Sequence, residues 1–72
     1  MELCAQVGHN LRRHRLAAGL SQEELAARAK VRQSYLSEVE RGRRNPTILL
    51  LQDLAGVLGV RVGELFVEIE VD

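Results

Sequence analysis

Apolar residues recur along this chain at the three-and-four spacing of amphipathic helices, in blocks set apart by glycine. Val7, Leu11 and Ala18 fall on one face of a first block over residues 3–18, which Gly19 stops. Leu25, Ala26 and Ala29 mark a second block, Leu36 and Val39 a third. Ile48, Leu51, Leu54, Ala55 and Leu58 mark a fourth over residues 48–58, with Thr47 as its cap and Gly59 as its end. A last short helix around residues 62–66 is expected to close the core with Leu65 and Phe66. Residues 67–72 change period: Val67, Ile69 and Val71 alternate with Glu68, Glu70 and Asp72, as in a half-buried strand. The pattern predicts one all-α domain over residues 1–66 and a short extended tail over 67–72, with no linker, repeat or low-complexity tract.

The second and third blocks are the most sharply written. Ser21 followed by Glu24 forms a capping box, and Leu20 can staple against Leu25, so a helix begins at Gln22. Ala26 and Ala29 are small enough for a second helix to cross closely. Lys30 and Val31 form the turn, with Val31 as its apolar plug, and the next helix runs from about residue 32 to 41 before Gly42. Two short helices joined by such a turn make a helix-turn-helix. A helix about 10–12 Å across fits the major groove of B-DNA, and a first helix packed across it fixes its angle. The outward side of the second helix carries Arg32, Gln33, Ser34, Ser37, Glu38 and Arg41, whose donors and acceptors can read base edges.

Composition narrows the classes. With 72 residues, 46% hydrophobic and 28% charged, the chain is globular and marginal in stability if it stands alone, so oligomerisation would help. No apolar run approaches the roughly 18 residues of a membrane span, and the N-terminal stretch lacks the layout of a signal peptide. One cysteine makes no internal disulfide, and a reducing cytoplasm is the expected setting. The net charge is zero but unevenly spread: residues 12–44 hold nine basic against four acidic side chains, a balance of +5, and residues 45–72 hold one against five, a balance of −4. Such polarity suits a molecule that turns one basic surface toward phosphates.

The stretches GLSQEELA, YLSEVERG, the RNP turn, and LAGVLGV leading to ELF together resemble the Cro and phage-repressor type of helix-turn-helix domain, the XRE family, over residues 7–66. The resemblance implies a five-helix, lambda-repressor-like fold acting as a two-fold dimer on a pseudo-palindromic operator. It assigns Gln22 to a phosphate contact that also braces Gln33, and makes Gln33 and Ser34 the main base readers, with Arg32, Ser37, Glu38 and Arg41 around them. Glu38 has two readings, accepting from cytosine or orienting Arg41 or Arg32. Tyr35, Arg43, Arg44 and Asn45 match backbone-clamping positions, with Arg12 and Arg13 as weaker phosphate candidates. Arg15 and Glu40 match a structural ion pair.

Three departures from the family pattern stand out. His14 takes an inward leucine position, where a neutral core histidine is expected rather than a pH switch. Arg61 replaces the usual serine cap of the last helix, so that start is expected to fray. Leu49 and Leu50 stand at commonly polar positions; Leu50 and Val57 would form a second apolar strip, and Val67, Ile69 and Val71 would pair as a strand with a second subunit or another protein. Together these would set the two recognition helices roughly 34 Å apart.

No enzyme is expected. The serines lack a histidine and carboxylate around them, and no glycine-rich phosphate loop is present. Cys4, His9 and His14 are spaced so that they rotate around helix one, so neither a metal nor a cofactor is expected. The expected function is a transcriptional repressor or controller that binds double-stranded DNA at an inverted repeat as a homodimer. The alternative is the antitoxin of a toxin–antitoxin pair, which would hold both operator DNA and a toxin protein.

Overall fold

Three of the helices open on a side chain that satisfies their first free N–H groups. In the computed structural model, which describes residues 2–69, α1 (Leu3–Ala17) starts at Glu2, whose carboxylate accepts from Cys4 N–H at 2.7 Å and Ala5 N–H at 3.2 Å. Those backbone donors hold the Glu2 carboxyl below its ordinary range. The capping box of α2 (Gln22–Ala29) is complete, with Glu24 N–H donating to Ser21 Oγ at 3.0 Å and Ser21 N–H to Glu24 Oε1 at 3.1 Å. Thr47 caps α4 (Ile48–Leu58) through Leu50 N–H. Of the α-helices, only α3 (Gln33–Glu40) starts without one, at Arg32.

All four α-helices end alike. A residue in or next to the left-handed region turns the chain, and the following N–H reaches back to the carbonyl five residues earlier: Leu20 to Arg15, Val31 to Ala26, Arg43 to Glu38 and Val60 to Ala55. Gly19, Gly42 and Gly59 supply the positive φ in three of these turns, and Lys30, at φ 59°, supplies it in the fourth. Leu20, Val31 and Val60 then fold back against the core, as this motif favours. After α3 the same position holds an arginine, exposed to solvent.

The core is one cluster drawn from every element: Val7 and Leu11 of α1, Leu25 and Ala26 of α2, Leu36 and Val39 of α3, Leu51, Leu54 and Ala55 of α4, and Leu65. The fold is all-helical but has four α-helices and a closing 3-10 helix (Val62–Phe66), not five α-helices. A five-residue segment starting at Arg61, which makes no side-chain cap, is short enough for the tighter helix to suffice. Its end is held by α1: buried Asn10 donates to the carbonyls of Leu65 at 3.0 Å and Val67 at 2.8 Å, and Gln6 to that of Phe66 at 3.0 Å. Residues 67–69 form no strand, and Val71 lies outside the described residues.

Three positions expected inside are outside, and one of them is Phe66, 39% exposed at the end of the 3-10 helix while Leu65 alone of that helix is buried in the core. Ala18 is exposed because α1 has already ended at Ala17. Ile48 is 72% exposed because it sits in the first turn of α4, beyond the reach of the core. It borders instead an apolar cavity of about 240 Å³ with Leu3, Cys4 and Phe66. Burial, then the neighbouring Glu2 carboxylate, pushes the Cys4 thiol up.

The seating of α3 on α1 depends on Gly8. A Cβ there would fall 2.6 Å from the Glu40 carbonyl oxygen and closer still to that of Val39, so no larger residue fits without moving one helix. At the next turn Gly42, with φ +74°, lies against Ala5.

Candidate nucleic-acid interface

The face of α3 turned away from the core begins with Gln33 and Ser34, both exposed, and ends at exposed Arg41. Leu36, Val39 and Glu40 face inward. Tyr35, Ser37 and Glu38 lie half-buried along the edges. Arg32 precedes the helix in extended backbone and caps none of its first N–H groups with its side chain. The start of α3 thus combines two amide- or hydroxyl-bearing side chains with the positive end of a helix, a combination suited to acceptors on bases and phosphates.

Behind this face, Glu40 joins three elements. Its Oε2 accepts from Arg15 Nε at 2.7 Å, and its Oε1 from Arg15 Nη2 at 3.1 Å and from Gln22 Nε2 at 3.0 Å. Arg15 also donates to the Leu20 carbonyl at 2.9 Å. The side chains of Arg15 and Glu40 are 8% and 2% exposed, so this is a buried pair with its hydrogen bonds made. Gln22 therefore braces α3 through Glu40, where a brace to Gln33 was expected from the sequence. The pair fixes the tilt of α3 against both α1 and α2.

Glu38 takes a partner the sequence did not suggest. Arg44 Nε donates to Glu38 Oε2 at 3.2 Å, and the Arg44 guanidinium stands 5.9 Å from the centre of the Tyr35 ring. Both charges are substantially exposed, so the pair adds little stability; it folds the segment after Gly42 back along α3. Arg43 and Asn45 are exposed on the same segment. Arg28 and Lys30, counted above in the basic stretch, border a separate hollow with Asp53 and Val57 of α4. His14 is half-buried, its Nε2 3.8 Å from Glu64 of the closing 3-10 helix.

Among the residues nominated for association, Leu50 and Val57 are half-buried and already pack on the core, Val67 is exposed and Ile69 half-buried. Leu49, at 72%, is far more exposed than either neighbour in that strip. Asn10 and Gly8 were missed by sequence reasoning. Asn10 had a usable signal, being a polar residue between Val7 and Leu11 on the buried stripe; Gly8 had none. Among the described residues no group of three or more histidines, cysteines or carboxylates is placed to hold a metal ion, and no helix is long and apolar enough to cross a membrane.

The comparisons with known proteins agree with this geometry. The helix-turn-helix family profile matches residues 11–65. An uncharacterised HTH-type transcriptional regulator, y4dJ of Sinorhizobium fredii, is 51% identical over 65 residues, spanning 90% of this chain and 84% of the relative. The chain spans only about half, 51%, of another relative, the regulator DdrOP3 of Deinococcus deserti, at 39% identity over 97% of this chain. The restriction-modification controller C.AhdI of Aeromonas hydrophila superimposes with a TM-score of 0.84 at 41% identity, covering 88% of this chain and 96% of that one. SinR, a regulator of biofilm formation solved in complex with DNA, superimposes with a TM-score of 0.78 at 40% identity over 82% and 95% of the two chains. The profile, the shared sequence and the superposed backbones all converge on the helix-turn-helix, and the chain belongs to the XRE family of helix-turn-helix transcriptional regulators.

Proposed function

We propose that the protein represses or controls transcription by binding an inverted-repeat operator as a homodimer, with Gln33 and Ser34 reading base edges from the start of α3. The carrying observation is the contrast between the two sides of α3: exposed polar groups outward, and inward a helix locked by Glu40 to Arg15 and Gln22. A reading head must be rigid to discriminate, because a side chain that wanders loses the geometry of a bidentate contact. Arg32, Ser37, Glu38 and Arg41 flank the readers, while Gln22, Tyr35, Arg43, Arg44 and Asn45 hold the sugar-phosphate backbone. The uncapped start of α3 supports this, since its free N–H groups can face DNA instead of a side chain of the protein.

Dimerisation is supported by the exposure of Leu3, Ile48, Leu49, Phe66 and Val67, a large apolar share for so small a domain. The site of action is the cytoplasm, on promoter DNA. Selection of bound duplexes from a random pool tests the whole reading: two half-sites in inverted orientation, about one helical turn apart, are expected. Within the selected operator, Gln33→Ala should cost about 1–3 kcal/mol at one base pair and relax preference there alone. A flat pool, with no enriched sequence, would count against operator reading altogether.

A further inference from the structure

We propose that the outer track of α1, from Asn10 through Arg13 to Leu16, is the seat of this chain's own acidic C-terminal segment, residues 68–72. Docked there, the segment occupies cations of α1 until a stronger polyanion displaces it. Only that last consequence rests on the DNA-binding reading above.

The end of the fold climbs α1 in step with it. Gln6 donates to the Phe66 carbonyl, and buried Asn10, one turn on, to that of Val67 at 2.8 Å. His9, Asn10 and Arg13 then share a hollow of about 250 Å³ with Val67, Glu68 and Ile69. Positions on the helix and on the segment rise together, so the chain passes residue 69 headed for the next turn of α1. Gln6, Asn10 and Arg13 stand at i, i+4 and i+7 of one helix stripe, and Leu16 and Ala17 come next on it. Extended chain advances about 3.3 Å per residue and a helix about 1.5 Å, so with Ile69 level with Arg13, Val71 comes level with Leu16 and Ala17.

The surface ahead fits that segment in both polarity and charge. Leu16 is 56% exposed and borders a second hollow, of about 190 Å³, with His9, Arg12 and Arg13. An exposed leucine alone needs no explanation, but this one is flanked by cations, and none of the ion pairs among the described residues uses Arg12, Arg13 or Glu68. The segment is complementary: Ile69 and Val71 alternate with Glu68, Glu70 and Asp72, which gives an extended chain one apolar edge and one acidic edge. The apolar edge meets Leu16, while the arginine stems reach past it and carry their guanidinium heads outward to the carboxylates. Residues 70–72 lie outside the described residues; Glu68 and Ile69 are the part of the seat already in place. The hollow bordered by Arg28 and Lys30 differs in holding a carboxylate of its own, Asp53. Docking on α1 leaves Leu49 and Phe66 open to a second copy.

Two measurements on the full chain test this. By NMR at low salt, cross-peaks are expected between the methyl groups of Val71 and Leu16. The Nε–H signals of Arg12 and Arg13 should also move when Glu68→Gln, Glu70→Gln and Asp72→Asn are introduced together, while that of Arg28 stays. Absence of the methyl cross-peaks together with unmoved arginines overturns the seat. In a mixture of isotope-labelled and unlabelled chains, cross-peaks found only between different chains would give the segment to a second copy and equally overturn it. The second measurement is duplex binding. The neutralised segment should tighten operator and scrambled duplexes by one common factor, about two- to fivefold at low salt and vanishing as salt rises. In an Arg13→Gln background the same three changes should gain less, because the cation they release is gone. An equal gain in both backgrounds is a general charge effect and overturns the seat. A parent chain that prefers no duplex overturns the operator reading alone, since the contact between Val71 and Leu16 is judged without DNA.

Discussion

Glu40 shows what a single residue does in this fold. A carboxylate 2% exposed costs several kcal/mol in desolvation, which only excellent geometry offsets. Two hydrogen bonds from Arg15 and one from Gln22 supply that geometry, and no buried side-chain nitrogen or oxygen among the described residues lacks a partner. Glu40→Ala should therefore lower the free energy of unfolding by about 3–5 kcal/mol in urea titrations, because it leaves the Arg15 guanidinium buried and unpaired. Loss of under about 1 kcal/mol would mean that Arg15 swings out to water. This pair was legible from the family resemblance and not from hydrophobic period, since neither residue carries an apolar signature. Gly8 was illegible for a related reason: its contribution is the absence of a Cβ at a helix crossing, and periodicity registers only side chains that are present.

At the scale of elements, the core stripes and most helix ends were legible: each buried core hydrophobic had been named, and only α1 and α3 differ, by one residue at their ends. Thr47 and Gly59 marked α4 to the residue because each meets a backbone requirement on its own, a free N–H or a positive φ. Which residues inside an element are buried depends on what lies across from them, and here Ile48 was misread for want of any neighbour over the first turn of α4. The closing 3-10 helix is a similar case, since five residues with Gly63 among them do not distinguish the two helix types by pattern. The turn between α2 and α3 is the weak joint of the set, because Lys30 holds a left-handed conformation that glycine holds in the other three. A Cβ in that region costs on the order of 1 kcal/mol. Lys30→Gly should raise stability by up to about 0.5 kcal/mol after the entropy of a freer unfolded chain is subtracted. For a domain this small the gain would be read as a melting temperature a few degrees higher, at roughly 4–8 °C per kcal/mol.

For the whole molecule, the balance of exposed to buried apolar side chains is what bears on association. Leu3, Ile48, Leu49, Phe66 and Val67 are exposed together with a small core, so a second copy would bury surface that the monomer leaves wet. The direction of the C-terminal segment is set by Asn10, which holds the Leu65 and Val67 carbonyls and so aims the chain as it leaves the domain. A chain cut after Val67 keeps both acceptors and loses only residues 68–72, which separates association from folding. It should sediment with a weaker dimer than the full chain while its monomer melts alike. A dimer of undiminished strength would assign association to the exposed side chains of α1 and α4 instead of the tail.

The bare backbone at Gly8 makes the seating of α3 depend on a residue behind it. Because α3 rests there carbonyl against helix, any side chain inserted at that point acts as a wedge, displacing α3 from α1 without altering a single residue on its outward face.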